Sequence, residues 1–219
     1  MRFLIKYPTR GRPGQFIRQV QKYRAFLSRR HPVRFVVSID EDDRTMHSAE
    51  VKGFIARQRD MQVFTGSSSG KIAAVNADFE KLGDYDVLIL ASDDMVPQVR
   101  QYDLIIERMM MQHFPNLDGC LHFDDGLNKH GLNTMPIAGK KFFDEQGYIY
   151  HREYISEFCD DHFMKRSEKM GKSFKSERCL FKHEWTKATG QDDTYRRNSG
   201  FWDRDKATYF KHLALGFPQ

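Results

Sequence analysis

Two carboxylates stand directly behind the most apolar run of the sequence, where Asp86-Val87-Leu88-Ile89-Leu90-Ala91 ends in Ser92-Asp93-Asp94-Met95. Hard oxygen ligands at the end of a buried strand suit a divalent cation such as Mn²⁺ or Mg²⁺, which in turn clamps phosphates. Without that strand, an Asp-Asp pair reads as a solvated turn or a helix cap. Asp40-Glu41-Asp42-Asp43 packs further carboxylates into one loop. Such groups accept hydrogen bonds from a base N–H or a ribose hydroxyl, and equally make a charged surface turn. Ser67-Ser68-Ser69-Gly70-Lys71 is small, polar and basic but lacks the spacing of a P-loop, which is therefore rejected. Lys71 and Asn76 can still face a nucleotide from the start of a helix. Glu157-Phe158-Cys159-Asp160-Asp161-His162-Phe163 sets acids in an apolar context, as a general base requires. His183 follows the apolar Cys179-Leu180-Phe181 and is either a structural histidine or a metal ligand from the second half.

The elements that must position these groups follow from hydrophobic spacing. Phe3-Leu4-Ile5 is a short apolar run closed by Tyr7-Pro8-Thr9-Arg10-Gly11-Arg12-Pro13, a strand followed by a loop. Phe16, Val20, Tyr23 and Leu27 share one helical face, and Val33 to Ile39 is a β-branched strand. Helix is expected over 49–58, 71–82 and 101–114, and strand over 61–64 and 86–91. Strands that are apolar on both faces and alternate with helices imply a parallel sheet covered on both sides. In such folds the loops at the carboxyl ends of the strands carry function. Thr9-Arg10, Asp40-Asp42 and Asp93-Asp94 are all at such ends and should converge on one cleft. Beyond residue 115 the pattern weakens. Strands are expected over 119–123 and 134–137, mostly helix over 140–166, and a loop rich in Lys, Ser and Arg over 167–178.

Composition bounds the rest. The chain has 219 residues, with 35 basic and 30 acidic side chains and a net charge of +5. That length fits one domain able to bury a full core. The moderate basic excess permits a polyanionic partner without demanding one. Three scattered cysteines give neither a disulfide framework nor a thiolate zinc site, and fit free thiols in a reducing cytoplasm. No signal peptide and no apolar stretch of roughly 20 residues appears.

Taken in order, these motifs resemble the GT-A fold nucleotide-sugar glycosyltransferases, and are similar to family 2. The matching elements are Pro8 to Pro13, Ser38-Ile39-Asp40-Glu41-Asp42-Asp43, Gly70 to Asn76, Ser92-Asp93-Asp94-Met95-Val96-Pro97 and Cys159-Asp160-Asp161. His183-Glu184-Trp185, followed by Asp192-Asp193-Thr194-Tyr195-Arg196-Arg197, resembles small glycosyltransferase-like proteins, many of them from bacteriophages. The resemblance spans about residues 1–200. It implies an α/β fold, a mostly parallel Rossmann-like sheet flanked by helices in one domain. Residues 1–115 would bind the nucleotide sugar, 116–200 would serve the acceptor and catalysis, and 201–219 would form a C-terminal tail.

The resemblance also implies roles. Thr9, Arg10, Asp40 and Asp42 would hold a uridine-like nucleoside, with Lys71 and Asn76 supporting it or the diphosphate. Pro8, Arg12 and Ser92 would complete the nucleotide-sugar site. Asp93 would meet the ribose or sugar, while Asp94 and His183 would bind Mn²⁺ or Mg²⁺. Asp161, or else Asp160, would deprotonate the acceptor hydroxyl in an inverting single displacement. The family often has an acid where Ser92 stands, which bears on the metal geometry.

The donor would be a UDP-sugar. The acceptor is open. Lys140-Lys141, Lys165-Arg166, Lys169, Lys172, Lys175, Arg178, Lys182 and Arg196-Arg197 interleave with Phe142, Phe143, Tyr148, Tyr150, Phe174 and Trp185. Basic groups with aromatics can bind DNA. With a phage source, a flipped-out hydroxymethylated pyrimidine would be an acceptor, and the host cytoplasm the location. A saccharide, lipid or protein acceptor fits equally. A sugar-phosphate nucleotidyltransferase and a non-catalytic nucleotide-binding module are the readings from other classes.

Overall fold

The computed structural model describes residues 1–67, 70–127, 131–184 and 193–217, with the side chain of Tyr195 outside that set. Its first half alternates as expected: β1 (Phe3–Thr9), α1 (Pro13–Ala25), β2 (Val33–Asp40), α2 (Ala49–Ala56), β3 (Met61–Gly66), α3 (Lys71–Asn76) and β4 (Val87–Leu90). β5 (Met95–Pro97) and α4 (Tyr102–His113) follow. The second half supplies β6 (Cys120–Phe123), β7 (Ile137–Gly139), α5 (Lys140–Gln146), α6 (Cys159–Lys169), β8 (Ser173–Ser176), β9 (Phe181–His183), α7 (Asp193–Ser199) and α8 (Trp202–Leu215). The fold is a single α/β domain around a seven-stranded sheet of order β3-β2-β1-β4-β7-β6-β8.

β1 runs parallel to β2, from Phe3↔Val33 to Thr9↔Ile39, and parallel to β4, from Phe3↔Val87 to Lys6↔Leu90. This register brings the carboxyl ends of the three strands to one edge, with Thr9, Asp40 and the segment after Leu90 side by side. β7 is antiparallel to both β4 and β6, and β8 pairs parallel to β6. β5 and β9 form a separate antiparallel ribbon with Met95 opposite His183.

The period of two along β1 sorts its side chains between two cores. Phe3, Ile5 and Tyr7 pack with Phe16, Val20 and Tyr23 of α1 and with Tyr102 and Ile106 of α4. Leu4 joins Val36, Leu88, Ile72, Phe142, Phe143 and Phe163 on the other face. Lys6 also points to this second face, fully buried. Its Nζ donates to Ser38 Oγ at 2.6 Å and to the Ala77 carbonyl at 2.7 Å.

Four expectations are corrected. The helix over 71–82 ends at Asn76, because the Asn76 amide turns back to the 149–150 backbone and Asp78 adopts a left-handed conformation with φ 58°. The strand expected at 134–137 is displaced to Ile137–Gly139. The segment 140–166 is two helices separated by an irregular stretch over 147–158. The basic stretch 167–178 contains β8, a polar strand at the sheet edge. Residues 202–215 form α8, which packs on α6. Among the described residues, no helix is long and apolar enough to cross a membrane.

Candidate active site

A cleft of about 1030 Å³ opens at the carboxyl edge of β1, β2 and β4. That volume is at the upper end of ligand sites, roughly 300–1,000 Å³. Pro8, Thr9, Arg10, Arg12, Asp40, Lys71, Ser92, Asp93, Asp94, Asp160 and His183 all line it. Three singled-out residues do not.

The wall after β4 is the most constrained. Asp93 is buried and its carboxylate accepts hydrogen bonds from Tyr7 Oη at 3.1 Å and Thr9 Oγ1 at 3.1 Å. Desolvation lifts its pKa to about 7, against the opposing charge of Arg12. Asp94 is oriented from both sides. Ser92 Oγ donates to its Oδ1 at 2.6 Å, and its Oδ2 faces His183 Nε2 at 3.5 Å. Desolvation alone would raise the Asp94 pKa, but hydrogen bonding to His183 and the imidazole's charge hold it far below the usual carboxylate range. Burial likewise opposes protonation of His183, and Asp94 and Asp125 outweigh it, so the His183 pKa is raised. Thus the serine that replaces an acid at the start of the motif acts as a hydrogen-bond donor to Asp94.

Backbone pairing fixes this joint. Glu184 N–H donates to the Asp94 carbonyl and His183 N–H to the Asp125 carbonyl, each at 2.8 Å. Sequence reasoning missed Asp125. It is buried, sits 3.6 Å from His183 Nδ1 through Oδ2, and accepts from Thr134 Oγ1 at 2.9 Å. A carboxylate behind an imidazole is the arrangement that fixes the ring of a metal-binding histidine. Its signal was available: Asp124-Asp125-Gly126 follows the apolar β6 just as Asp93-Asp94 follows β4.

Asp94 and His183 offer one oxygen and one nitrogen at close to the about 3 Å that separates adjacent ligands of an octahedral ion. These residues therefore fit a divalent metal. The mixed donor pair suits Mn²⁺ better than Mg²⁺, which favours oxygen ligands.

The loop after β2 divides its acids. Asp40 lines the cleft and accepts from Arg10 Nη1 at 2.5 Å. Asp42 is exposed at the rim, outside the lining. It forms a two-point pair with Arg10, whose hydrogen bond holds the Asp42 pKa down to about 2. Asp43 is buried and structural. It accepts from Gly11 N–H at 2.6 Å and from Thr45 Oγ1 at 2.7 Å, tying the β1 loop to the β2 loop.

The third wall comes from α3 and the stretch before α6. Gly70 begins α3 against this stretch: a Cβ there would stand 2.8 Å from the Ile155 carbonyl oxygen, so only glycine fits. Lys71 follows. Desolvation opposes its charge, but Asp160, Glu157 and Asp94 outweigh it and raise its pKa. Asn76 lies outside the lining. Its Oδ1 accepts the N–H groups of Ile149 and Tyr150, and its Nδ2 donates to the Tyr150 carbonyl at 2.7 Å, so it braces the fold. Asp161 also lies outside it. Asp160 lines the cleft, whereas Asp161 interacts with Lys165 and with Tyr209 of α8. Burial, reinforced by the Asp160 charge, lifts Asp161 to about 6. Ser68, Ser69, Trp185 and Asp192 lie outside the described residues.

No protein-family model and no curated sequence matches the chain. Solved structures do. A mannosyltransferase from Pyrobaculum calidifontis, in complex with GDP-Man and Mn²⁺, superposes with a TM-score of 0.66 at 9% identity. The match covers 84% of this chain and 57% of that one. TarS from S. aureus, in complex with UDP-GlcNAc, gives 0.61 at 15% identity, covering 90% and 64%. A β1,4-galactosyltransferase 7 variant from Drosophila, with manganese, UDP-Gal and xylobiose, gives 0.57 at 16%, covering 88% and 74%.

The chain has the GT-A fold. It spans less than two thirds of the mannosyltransferase and of TarS. In this GT-A chain three aromatic groups of the expected DNA footprint, Phe142, Phe143 and Tyr150, are buried, and Tyr148 and Phe174 are partly so. Several of its lysines pair locally, Lys140 with Asp144, Lys165 with Glu168 and Lys172 with Glu145.

Proposed function

We propose that the chain transfers a sugar from a nucleoside diphosphate donor, UDP by preference, to an acceptor hydroxyl, with metal assistance and inversion. The observation that carries this reading is the Asp94–His183 joint, set in one cleft with Asp93, Asp40, Lys71 and Asp160. The GT-A structures bound to nucleotide sugars, two of them with manganese, support it.

Asp40, Arg10 and Thr9 bind the nucleoside from the ends of β1 and β2. Asp93, fixed by Tyr7 and Thr9, meets the ribose or the sugar. Asp94 and His183 would hold Mn²⁺, which supplies charge neutralisation for the leaving diphosphate. Lys71 remains protonated and adds positive charge on the same cleft. Asp160 takes the proton of the acceptor hydroxyl. The hydroxyl oxygen bonds to the anomeric carbon as the bond to the diphosphate breaks, and the electron pair leaves with the diphosphate. One displacement inverts the anomeric centre.

A saccharide is the better acceptor. Phe142, Phe143 and Tyr150 are buried and Lys140, Lys165 and Lys172 are paired locally, which reduces the nucleic-acid footprint, while Trp202 presents a half-exposed ring at the cleft. Incubation with UDP-sugars, Mn²⁺ and a panel of saccharide and hydroxymethylated-DNA acceptors tests the reading. The expected result is UDP release coupled to transfer, lost in Asp94→Ala. Release of pyrophosphate from a sugar phosphate and a nucleoside triphosphate would replace it with nucleotidyl transfer. Salt-sensitive transfer to DNA would restore the DNA acceptor.

A further inference from the structure

On the face of the molecule formed by the 147–158 stretch, α6 and α8, three imidazoles come together. The rings of His151, His162 and His212 have centroids 4.4 to 4.8 Å apart in all three pairs. They arrive from three separate elements: His151 from the irregular stretch, His162 from α6 and His212 from α8. A nitrogen of His151, a nitrogen of His212 and a carboxylate oxygen of Glu153 lie within 4.8 Å of one another.

Two of the rings are almost wholly buried, His162 at 1% and His212 at 3% exposure. His162 Nδ1 is engaged with the Tyr154 hydroxyl at 3.1 Å, and its Nε2 has no hydrogen-bond partner among the described residues. His212 Nδ1 is likewise buried without one, while its Nε2 faces Glu153 Oε2 at 3.3 Å. Buried polar atoms are nearly always satisfied, so two orphaned imidazole nitrogens in one cluster call for a ligand.

We propose that His151, Glu153 and His212 form a structural zinc site, with the His162 ring stacked on His151 beside them, distinct from the Asp94–His183 joint. Imidazole nitrogens with one carboxylate are the donor set of Zn²⁺ rather than of Mg²⁺ or Ca²⁺. Tetrahedral zinc at about 2.0–2.1 Å from each ligand sets them about 3.3 Å apart, so the side chains of His151, Glu153 and His212, now within 4.8 Å, need to close by at most about 1.5 Å. Lys211 holds Glu153 Oε2 from the solvent side, and it would give way or share the carboxylate. The ion would pin the 147–158 stretch to α6 and α8.

The test is zinc titration of the chelator-stripped full chain by calorimetry, repeated in Asp94→Ala to remove the cleft joint. Expected is one equivalent of Zn²⁺ still bound in Asp94→Ala, with a raised Tm reversed by EDTA. Co²⁺ in its place should give visible bands of tetrahedral intensity. His151→Gln, at a half-exposed position, should weaken zinc binding by at least about 100-fold, and Glu153→Gln serves as a second, exposed variant. The proposal is overturned if no stoichiometric binding occurs, if binding vanishes in Asp94→Ala, or if folded His151→Gln and Glu153→Gln bind zinc like the parent.

Discussion

Asp205 of α8 accepts the backbone N–H of Glu157 at 2.8 Å. The same carboxylate accepts from Ser156 at 2.7 Å and from Ile155 at 3.0 Å, and it is fully buried. The next residue, Phe158, has φ 59° and packs against Trp202 and Tyr209, both also of α8. The helix at the carboxyl side of the chain thus shapes the turn from which Glu157 and Asp160 enter the cleft.

Replacing Asp205 with Ala should leave three buried N–H groups unpaired. A loss of about 2–4 kcal/mol is expected, read as a lowered urea midpoint. Transfer by the folded fraction should fall as well, because the turn before Asp160 loosens. Asp205→Asn, keeping one acceptor oxygen, should recover part of both.

The two neighbouring acids of α6 should separate cleanly. Asp160→Asn is expected to cut kcat by roughly 1,000-fold while leaving donor affinity unchanged, as befits a lost general base. Asp161→Asn should change kcat by less than about tenfold. The reverse ranking in steady-state kinetics would move the base to Asp161.

Asp125→Asn tests the support behind His183. Loss of the orienting charge should weaken Mn²⁺ binding in the presence of UDP by about 10–100-fold with the fold intact. Calorimetry against the parent protein measures this directly, and an unchanged affinity would remove Asp125 from the site.

Lys6 should leave a signature in alkaline stability. Burial lowers its pKa from 10.5 to about 8. Between those values the unfolded chain binds the proton and the folded chain does not, so this group's contribution rises with pH. The full rise is roughly 3 kcal/mol. Because tyrosines also titrate there, the readout is the difference between parent and Lys6→Met in denaturation curves from pH 7 to 11. That difference should grow in the parent's favour as pH increases, and a flat difference would refute the assignment.

The first half of the fold was legible because its strands are buried on both faces and therefore read as unbroken apolar runs, Val87 to Leu90 above all. β8 was not, because Ser173–Ser176 is a polar edge strand held by its backbone pairing to β6 rather than by hydrophobic burial. The site was legible where a strand end fixes the direction, as for Asp93 and Asp94. It was not at Asp160 and Asp161, where adjacent helical residues point about 100° apart and only the packing of α8 decides which one enters the cleft. Asn76 misled for a related reason, since the helix stops there and its amide serves the backbone across from it. The histidine cluster left no trace in the sequence, its rings coming from positions 151, 162 and 212.

The ribbon that places Met95 opposite His183 has a bearing on how the chain matures. The two halves of the joint are 183 − 94 = 89 positions apart. Closing so long a loop is slow and earns nothing until both ends are in place. The parallel strands β1, β2 and β4 can assemble from the first 90 residues and already form the edge at which the cleft opens. On the proposed reading, Mn²⁺ affinity should therefore appear only once His183 has been made and the ribbon has closed, which turns metal uptake into a reporter of that closure.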